Sequence, residues 1–278
     1  MSNYRDKVRN LENYMESLAT KDSMIAFSGG VDSSLLLKVA CEQSKKYNTN
    51  VYAVTIHTKL HPMKELAISQ KIASEVGAIH KVLHVDELQE AGIETNPVDR
   101  CYRCKKYMFT KVLHLAEELG VSILLEGTNA DDTKEYRPGI QAIKELGISS
   151  PLLLHDFSKQ EVRMLAKEYG ISSAEKPSTP CLATRFPYDT LLSYKEMNYV
   201  EQIEEYIRSL GFYNVRARIH EKLVRIEVDE PDIMKLVEKR TIIQNYIKQF
   251  GYLYIAVDLE GFRSGSQDIL IKEKLVTG

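Results

Sequence analysis

Short apolar runs punctuate the first two thirds of the chain at regular intervals. "SMIAF" (23–27), "VYAVTIHT" (51–58), "IHKVLHVD" (79–86), "VSILLEGT" (121–128) and "SSPLLLHD" (149–156) have the length and β-branched content of strands. Between them apolar positions recur every three or four residues, predicting helices over 1–20, just after Gly30, over 63–76, over 101–119 and over 159–169. Five strands alternating with helices predict an α/β domain with a doubly wound, mostly parallel five-stranded sheet. Such sheets bind ligands beyond the carboxyl ends of their strands, where the strand order reverses.

The rhythm breaks at "SSAEKPSTPCLATRFP" (172–187), which carries Pro177, Pro180 and Pro187 and predicts a functional loop at a domain boundary. Beyond it, a helix over 193–210, strands in "VRARIHE" and "LVRIEVD", a helix over 231–249 and a strand over 252–259 predict a smaller α+β domain. The expected domains are therefore 1–187 and 188–278. With 278 residues, 44% of them hydrophobic, the chain has enough apolar content for two cores.

Composition narrows the partners. The formal net charge is −2, and without a global basic field a nucleic-acid partner is not favoured. The N-terminal stretch lacks the apolar centre of a secretory signal, and no run reaches membrane-spanning length, so a cytoplasmic protein without a membrane partner is expected. In a reducing compartment, close cysteine pairs bind metal or act catalytically more often than they form structural disulfides.

Cys101 and Cys104 are such a pair, at the start of a helix and among Arg100, Arg103, Lys105 and Lys106, surroundings that favour thiolate. The pair alone fits a redox disulfide, zinc or an iron–sulfur cluster. Zinc would want a fourth ligand, and the chain has neither a His-x₃₋₅-His nor a second C-x-x-C motif. Cys41, four residues after Leu37, is expected to be buried.

"AFSGGVDSS" (26–34) joins the first strand to a helix. Gly29 and Gly30 let the backbone approach a ligand, and the helix start offers unpaired N–H groups, so the loop reads as a phosphate site. It is neither a Walker A loop nor a dinucleotide fingerprint. Asp32 either helps hold Mg²⁺ or caps the helix. Asp131 and Asp132 follow the fourth strand and either reach Mg²⁺ and the ribose–phosphate region or form a solvated acidic turn. Arg185, Arg216 and Arg218 are candidate anion clamps; Arg216 and Arg218 share one strand face, which could also be a charged outer surface. Glu201 and Glu204 share a helix face.

Ser28 to Ser33 resembles the SGGxDS loop of the PP-loop ATP pyrophosphatases. "LLEGTNADD" (124–132), "PSTPCLATRFPY" (177–188) and "LEGFRSGS" (259–266), with "DRCYRCK", resemble one branch, the LarE-type ATP-dependent sulfur transferases of nickel-pincer nucleotide synthesis, and span almost the whole chain. The resemblance implies an enzyme that, with ATP and Mg²⁺, adenylates a carboxylate of a pyridinium mononucleotide and replaces the activated oxygen with sulfur to give a thiocarboxylate. It implies nucleotide contacts by Ser28, Gly29, Gly30, Asp32, Ser33, Ser34, Gly127, Thr128 and Asp131, and anion contacts by Arg185, Arg216 and Arg218. A carboxylate from the region of Glu201 and Glu204 is implied at the sulfur-transfer site, and Arg263 and Ser264 are implied to bind phosphate in a homo-oligomer.

Cys181 matches the thiol that single-cysteine members of the branch surrender as their sulfur. This chain departs from that pattern by adding Cys101 and Cys104, and the three-cysteine set implies a [4Fe–4S] cluster whose open iron carries sulfide from an external source. Competing expectations are a cluster-dependent tRNA 2-thiolation enzyme, a PP-loop synthetase that amidates with ammonia, and a non-catalytic nucleotide-binding or metal-storage module.

Overall fold

The computed structural model describes residues 3–60, 64–134, 137–172, 180–263 and 265–269. These form two compact units, Met1–Ile93 with Asp99–Thr179, and Glu94–Val98 with Pro180–Gly278.

The first unit runs α1 (Tyr4–Leu18), β1 (Ser23–Ala26), α2 (Val31–Ser44), β2 (Val51–His57), α3 (Lys64–Val76), β3 (Ile79–His84), α4 (Glu87–Glu90), α5 (Arg100–Glu118), β4 (Ile123–Leu125), α6 (Gly139–Glu145), α7 (Pro151–Leu154) and α8 (Lys159–Glu168). Its sheet has the order β3-β2-β1-β4, and every pairing is parallel. The strand pattern follows from this order. Flanked on both sides, β1 is apolar and almost wholly buried, whereas β3 at the edge alternates exposed and half-buried residues. Strand order reverses between β1 and β4, which places the loops after these two strands side by side.

The expected fifth strand is corrected: among the described residues the sheet has four strands, and of the run 149–156 only Ser149 bridges to Leu125. Pro151 has no N–H for a ladder and a φ suited to a first helical turn, so the chain enters α7 instead. Helix α2 is buried nearly all round, packing against α1, α3 and α8 as well as the sheet, and so shows no polar stripe. Cys41 is 3% exposed there, and burial pushes its thiol up to about 11.

The second unit contains α9 (Tyr194–Ser209), β5 (Val215–His220), β6 (Leu223–Val228), α10 (Ile233–Glu238), α11 (Arg240–Lys248) and β7 (Tyr254–Val257). The sheet order is β5-β6-β7, with β5 and β6 antiparallel and β7 parallel to β6. The helix expected over 231–249 is divided at Lys239 into α10 and α11. Among the described residues no helix is long and apolar enough to cross a membrane.

Candidate active site

In the first unit a cleft of about 510 Å³ opens at the carboxyl end of the sheet. Its floor is the loop between β1 and α2. Gly29 has φ +71°, a conformation costly for any residue with a Cβ, and Gly30 takes the N-cap position of α2. Ser33 Oγ donates to the Gly30 carbonyl at 3.2 Å and accepts from the Ser28 N–H at 3.3 Å, which curls the loop. The neighbouring loop closes on it. A Cβ at Gly127 would lie 2.9 Å from the Ser33 nitrogen, so only glycine lets the segment after β4 pack on the start of α2. Ser34 is wholly buried behind the loop.

Gly30 holds the cap position of α2, and Asp32 lies inside the first turn. Its Oδ1 accepts from Asn129 Nδ2 at 3.0 Å, and its Oδ2 is ion-paired with Lys159. Asp131 is held by Lys134 at 2.7 Å and by the Lys159 N–H at 2.8 Å; the Lys134 hydrogen bond, then that N–H, keep its carboxyl below the usual range. Asp132 accepts from the Asn129 N–H and pairs with Arg137 at 3.1 Å. Thr128 donates both its N–H and its hydroxyl to the buried Glu126, which also accepts from Ser150 and lies 3.8 Å from Lys105. Glu126, Asn129 and Lys159 are therefore site residues that single-residue chemistry did not mark. Glu126 and Asn129 fall within "LLEGTNADD", and Lys159 is the first residue of α8.

Helix α5 forms one wall of the cleft through Lys105, Met108 and Phe109. Cys101 and Cys104 precede Lys105 and Met108 by four residues each, so they continue the same helical face one turn toward its N-terminus. Cys101 is exposed and Cys104 half-buried, and the Arg100 guanidinium lies 3.9 Å from Cys101 Sγ. Cys181 belongs to the second unit. Among the described residues no group of three or more His, Cys, Asp or Glu side chains is arranged to hold a metal.

The second unit gathers arginines around two buried glutamates. Arg185 grips Glu204 with two hydrogen bonds, of 2.7 and 2.9 Å, while Arg208 and the Ala217 N–H also donate to it. Burial by itself would raise the pKa of Glu204, yet Arg185 and then Arg208 hold it below the usual carboxylate range. The outer nitrogen of Arg185 reaches the Cys181 carbonyl at 3.3 Å, which also accepts from the Thr184 N–H and hydroxyl. Arg185 thus ties the backbone of Cys181 to α9. Arg218 grips Glu227 with two 2.9 Å bonds and donates to the Thr184 carbonyl and to Ser266 Oγ.

Arg216 differs from both. It is 7% exposed, donates to its neighbour's carbonyl, stacks over Phe262 at 4.8 Å and has no carboxylate within ion-pair distance among the described residues. Burial, and then the charge of Arg185, lower its pKa to about 10. Glu201 is half-buried on α9, Arg263 pairs with Glu260 at 2.6 Å, and Ser264 lies outside the described residues.

Residues 3–137 match the family model described as a PP-loop domain. The chain is 36% identical over 262 residues to an uncharacterised protein of Synechocystis sp., covering 93% of this chain and 96% of that one. It is 35% identical over 254 residues to the pyridinium-3,5-bisthiocarboxylic acid mononucleotide synthase of Lactiplantibacillus plantarum, covering 91% of each. A shorter similarity, 26% over 193 residues, covers 56% of this chain and 52% of the tRNA-specific 2-thiouridylase MnmA of Rickettsia bellii.

Proposed function

The chain belongs to the ATP-dependent PP-loop sulfur-transferase family of the Lactiplantibacillus plantarum synthase, and from that membership we propose that it adenylates a carboxylate of a pyridinium mononucleotide and exchanges the activated oxygen for sulfur. The observation that carries this reading is the cleft itself: a glycine loop able to cradle phosphate faces a helix wall whose stripe runs on to two thiols. In the first step a carboxylate oxygen attacks the α-phosphorus, the α–β bridging P–O bond breaks, and pyrophosphate leaves with the electron pair. In the second a sulfur nucleophile attacks the acyl carbon and AMP departs.

The roles follow from the contacts. Ser28, Gly29, Gly30, Ser33 and Ser34 shape the pyrophosphate cradle, and Gly127 with Thr128 closes its side. Asp32 and Asp132 line the cleft, and their carboxylate oxygens would hold Mg²⁺ together with phosphate oxygens of ATP, not as a protein-only site, with Asp131 beside them. Mg²⁺ bound there supplies positive charge to the phosphates. Arg216, buried without a carboxylate, is the receptor for an anionic group of the mononucleotide, with Arg263 and Ser264 further phosphate contacts in a homo-oligomer. Arg185 with Glu204, and Arg218 with Glu227, hold Cys181 and the strand that carries Arg216. Glu201 completes the carboxylate pair on α9.

Cys101, Cys104 and Cys181 are soft donors, two of them on one helical turn and accessible, and we assign them as ligands of a [4Fe–4S] cluster. Such a cluster, when bound, supplies an open iron for hydrosulfide. We propose a cytoplasmic location, a reading that free cysteines and an ATP substrate support.

The test is pyrophosphate release from ATP with a pyridinium dicarboxylate mononucleotide, on protein purified without oxygen. Release that requires the mononucleotide, with a thiocarboxylate product, is expected. Cys101→Ser, Cys104→Ser and Cys181→Ser should each lower iron content and turnover together. A colourless, iron-free protein that loses one H₂S from Cys181 as it sulfurates its substrate would overturn the cluster and leave the adenylation reading intact. The similarity to the 2-thiouridylase makes tRNA the second reading, and salt-dependent tRNA binding would favour it.

A further inference from the structure

We infer that Lys159 is a substrate-contacting residue that exchanges between two anions, the Asp32 carboxylate and the pyrophosphate end of ATP; this rests on the assignment of the cleft to ATP. Three cations that line the cleft each meet a carboxylate: Lys105 meets Glu126, Arg137 meets Asp132, and Lys159 meets Asp32. The carboxylates are not equivalent. Glu126 is buried and satisfied by Thr128 and Ser150 whether or not Lys105 is near, so it belongs to the framework. Asp32 lies in the phosphate loop itself, with one oxygen held by Asn129 and the other by Lys159.

The two ends of Lys159 are also held differently. Its backbone is fixed, because its N–H donates to Asp131 and the preceding Ser158 forms a capping box with Glu161. Its side chain is 37% exposed and has a flexible stem. The ammonium can therefore change partner while α8 stays in place. A cation in the first turn of a helix is disfavoured by the helix dipole, so Lys159 is not there to stabilise α8.

A polyphosphate offers this ammonium several charged oxygens where Asp32 offers one, and a compact three-donor head accepts the shift in geometry. As the α–β bridging bond breaks, its electron pair goes to the β-phosphate oxygen, and a cation placed there stabilises the growing charge. Release of Lys159 also frees an Asp32 oxygen for the Mg²⁺ that accompanies ATP. One exchange thus serves both ends of the nucleotide's charge.

The test is titration of the full chain with inorganic pyrophosphate and with AMP, beside the rate of pyrophosphate release. Lys159→Met should weaken pyrophosphate roughly tenfold to a hundredfold and slow its release, while AMP affinity stays within about twofold. Asp32→Asn should change affinity the other way, binding pyrophosphate more tightly without Mg²⁺ because Lys159 loses its competitor. Lys159→Arg, which keeps the charge, should retain most of the affinity, and it carries the decision with Asp32→Asn if Lys159→Met does not fold. Pyrophosphate affinity unchanged in Lys159→Met, or unchanged or weakened in Asp32→Asn, overturns the inference. Wild-type protein that binds neither pyrophosphate nor ATP overturns the ATP assignment itself, an outcome seen before any variant is made.

Discussion

The two units handle charge in opposite ways. In the cleft, Asp32 and Lys159 are 20% and 37% exposed and meet through a single contact at a cavity wall. In the second unit Arg185 and Glu204 are 1% and 2% exposed and locked by two parallel hydrogen bonds. A half-solvated pair gains little net energy and changes partner at little cost. A buried bidentate pair has lost its water, so removing either member strands the other. The first arrangement suits a site where charged groups arrive and leave. The second suits a frame, and within it Arg216 is buried with no carboxylate in ion-pair distance among the described residues, the feature on which its proposed role as an anion receptor rests.

The largest effect tests the frame. Glu204→Ala should destabilise the protein by about 3–5 kcal/mol in denaturant unfolding, because it strands the buried Arg185 and removes the acceptor of the Ala217 N–H. Acid should reproduce part of this. The folded pKa of Glu204 is depressed, so its contribution is complete above the unfolded value of about 4.3 and is lost as pH falls through the lower folded value. The stability of Glu204→Ala should therefore depend less on pH below about 4.3 than that of the wild type. Equal slopes would place Glu204 outside the buried pair.

Next comes the cleft. Asp32→Ala should slow pyrophosphate release by about 10²–10³-fold, the scale of one lost electrostatic contact to the transition state, with iron content and unfolding midpoint unchanged. A large loss of stability instead would mean that the cleft pairs are framework too. Arg216→Met should weaken binding of the mononucleotide by roughly 1.5–3 kcal/mol in calorimetric titration and leave ATP binding alone. Unchanged affinity would turn this arginine into part of the frame. The smallest effect is Ser158→Ala, which removes the capping box beneath Lys159. It should cost about 1 kcal/mol of stability and reduce pyrophosphate affinity less than Lys159→Met does.

Much of this was legible in the residues because it is local. The apolar runs, the glycines that let the loop curl, and the four-residue steps from Cys101 to Lys105 and from Cys104 to Met108 all depend on periods of two or 3.6 residues, which a chain carries in its own order. The fifth strand failed on a local detail as well, since apolar content at 149–156 says strand while Pro151 starts a helical turn.

Which charges meet was decided only by the tertiary structure. Arg185, Arg216 and Arg218 are chemically alike, and nothing in their neighbours says which has a carboxylate waiting. The register of β5 and β6 sets Arg216 directly across from Glu227, yet that carboxylate is taken diagonally by Arg218 and, from two residues earlier on its own strand, by Arg225. Glu204 arrives from α9 to take Arg185. In the first unit Asp32 and Lys159 are 127 residues apart and become partners because α2 and α8 pack together. Propensity and periodicity act over a few residues, whereas ion pairing acts through space, so the sequence determined the elements and the loop chemistry, and the packing of those elements determined which charges are locked in buried pairs and which are not.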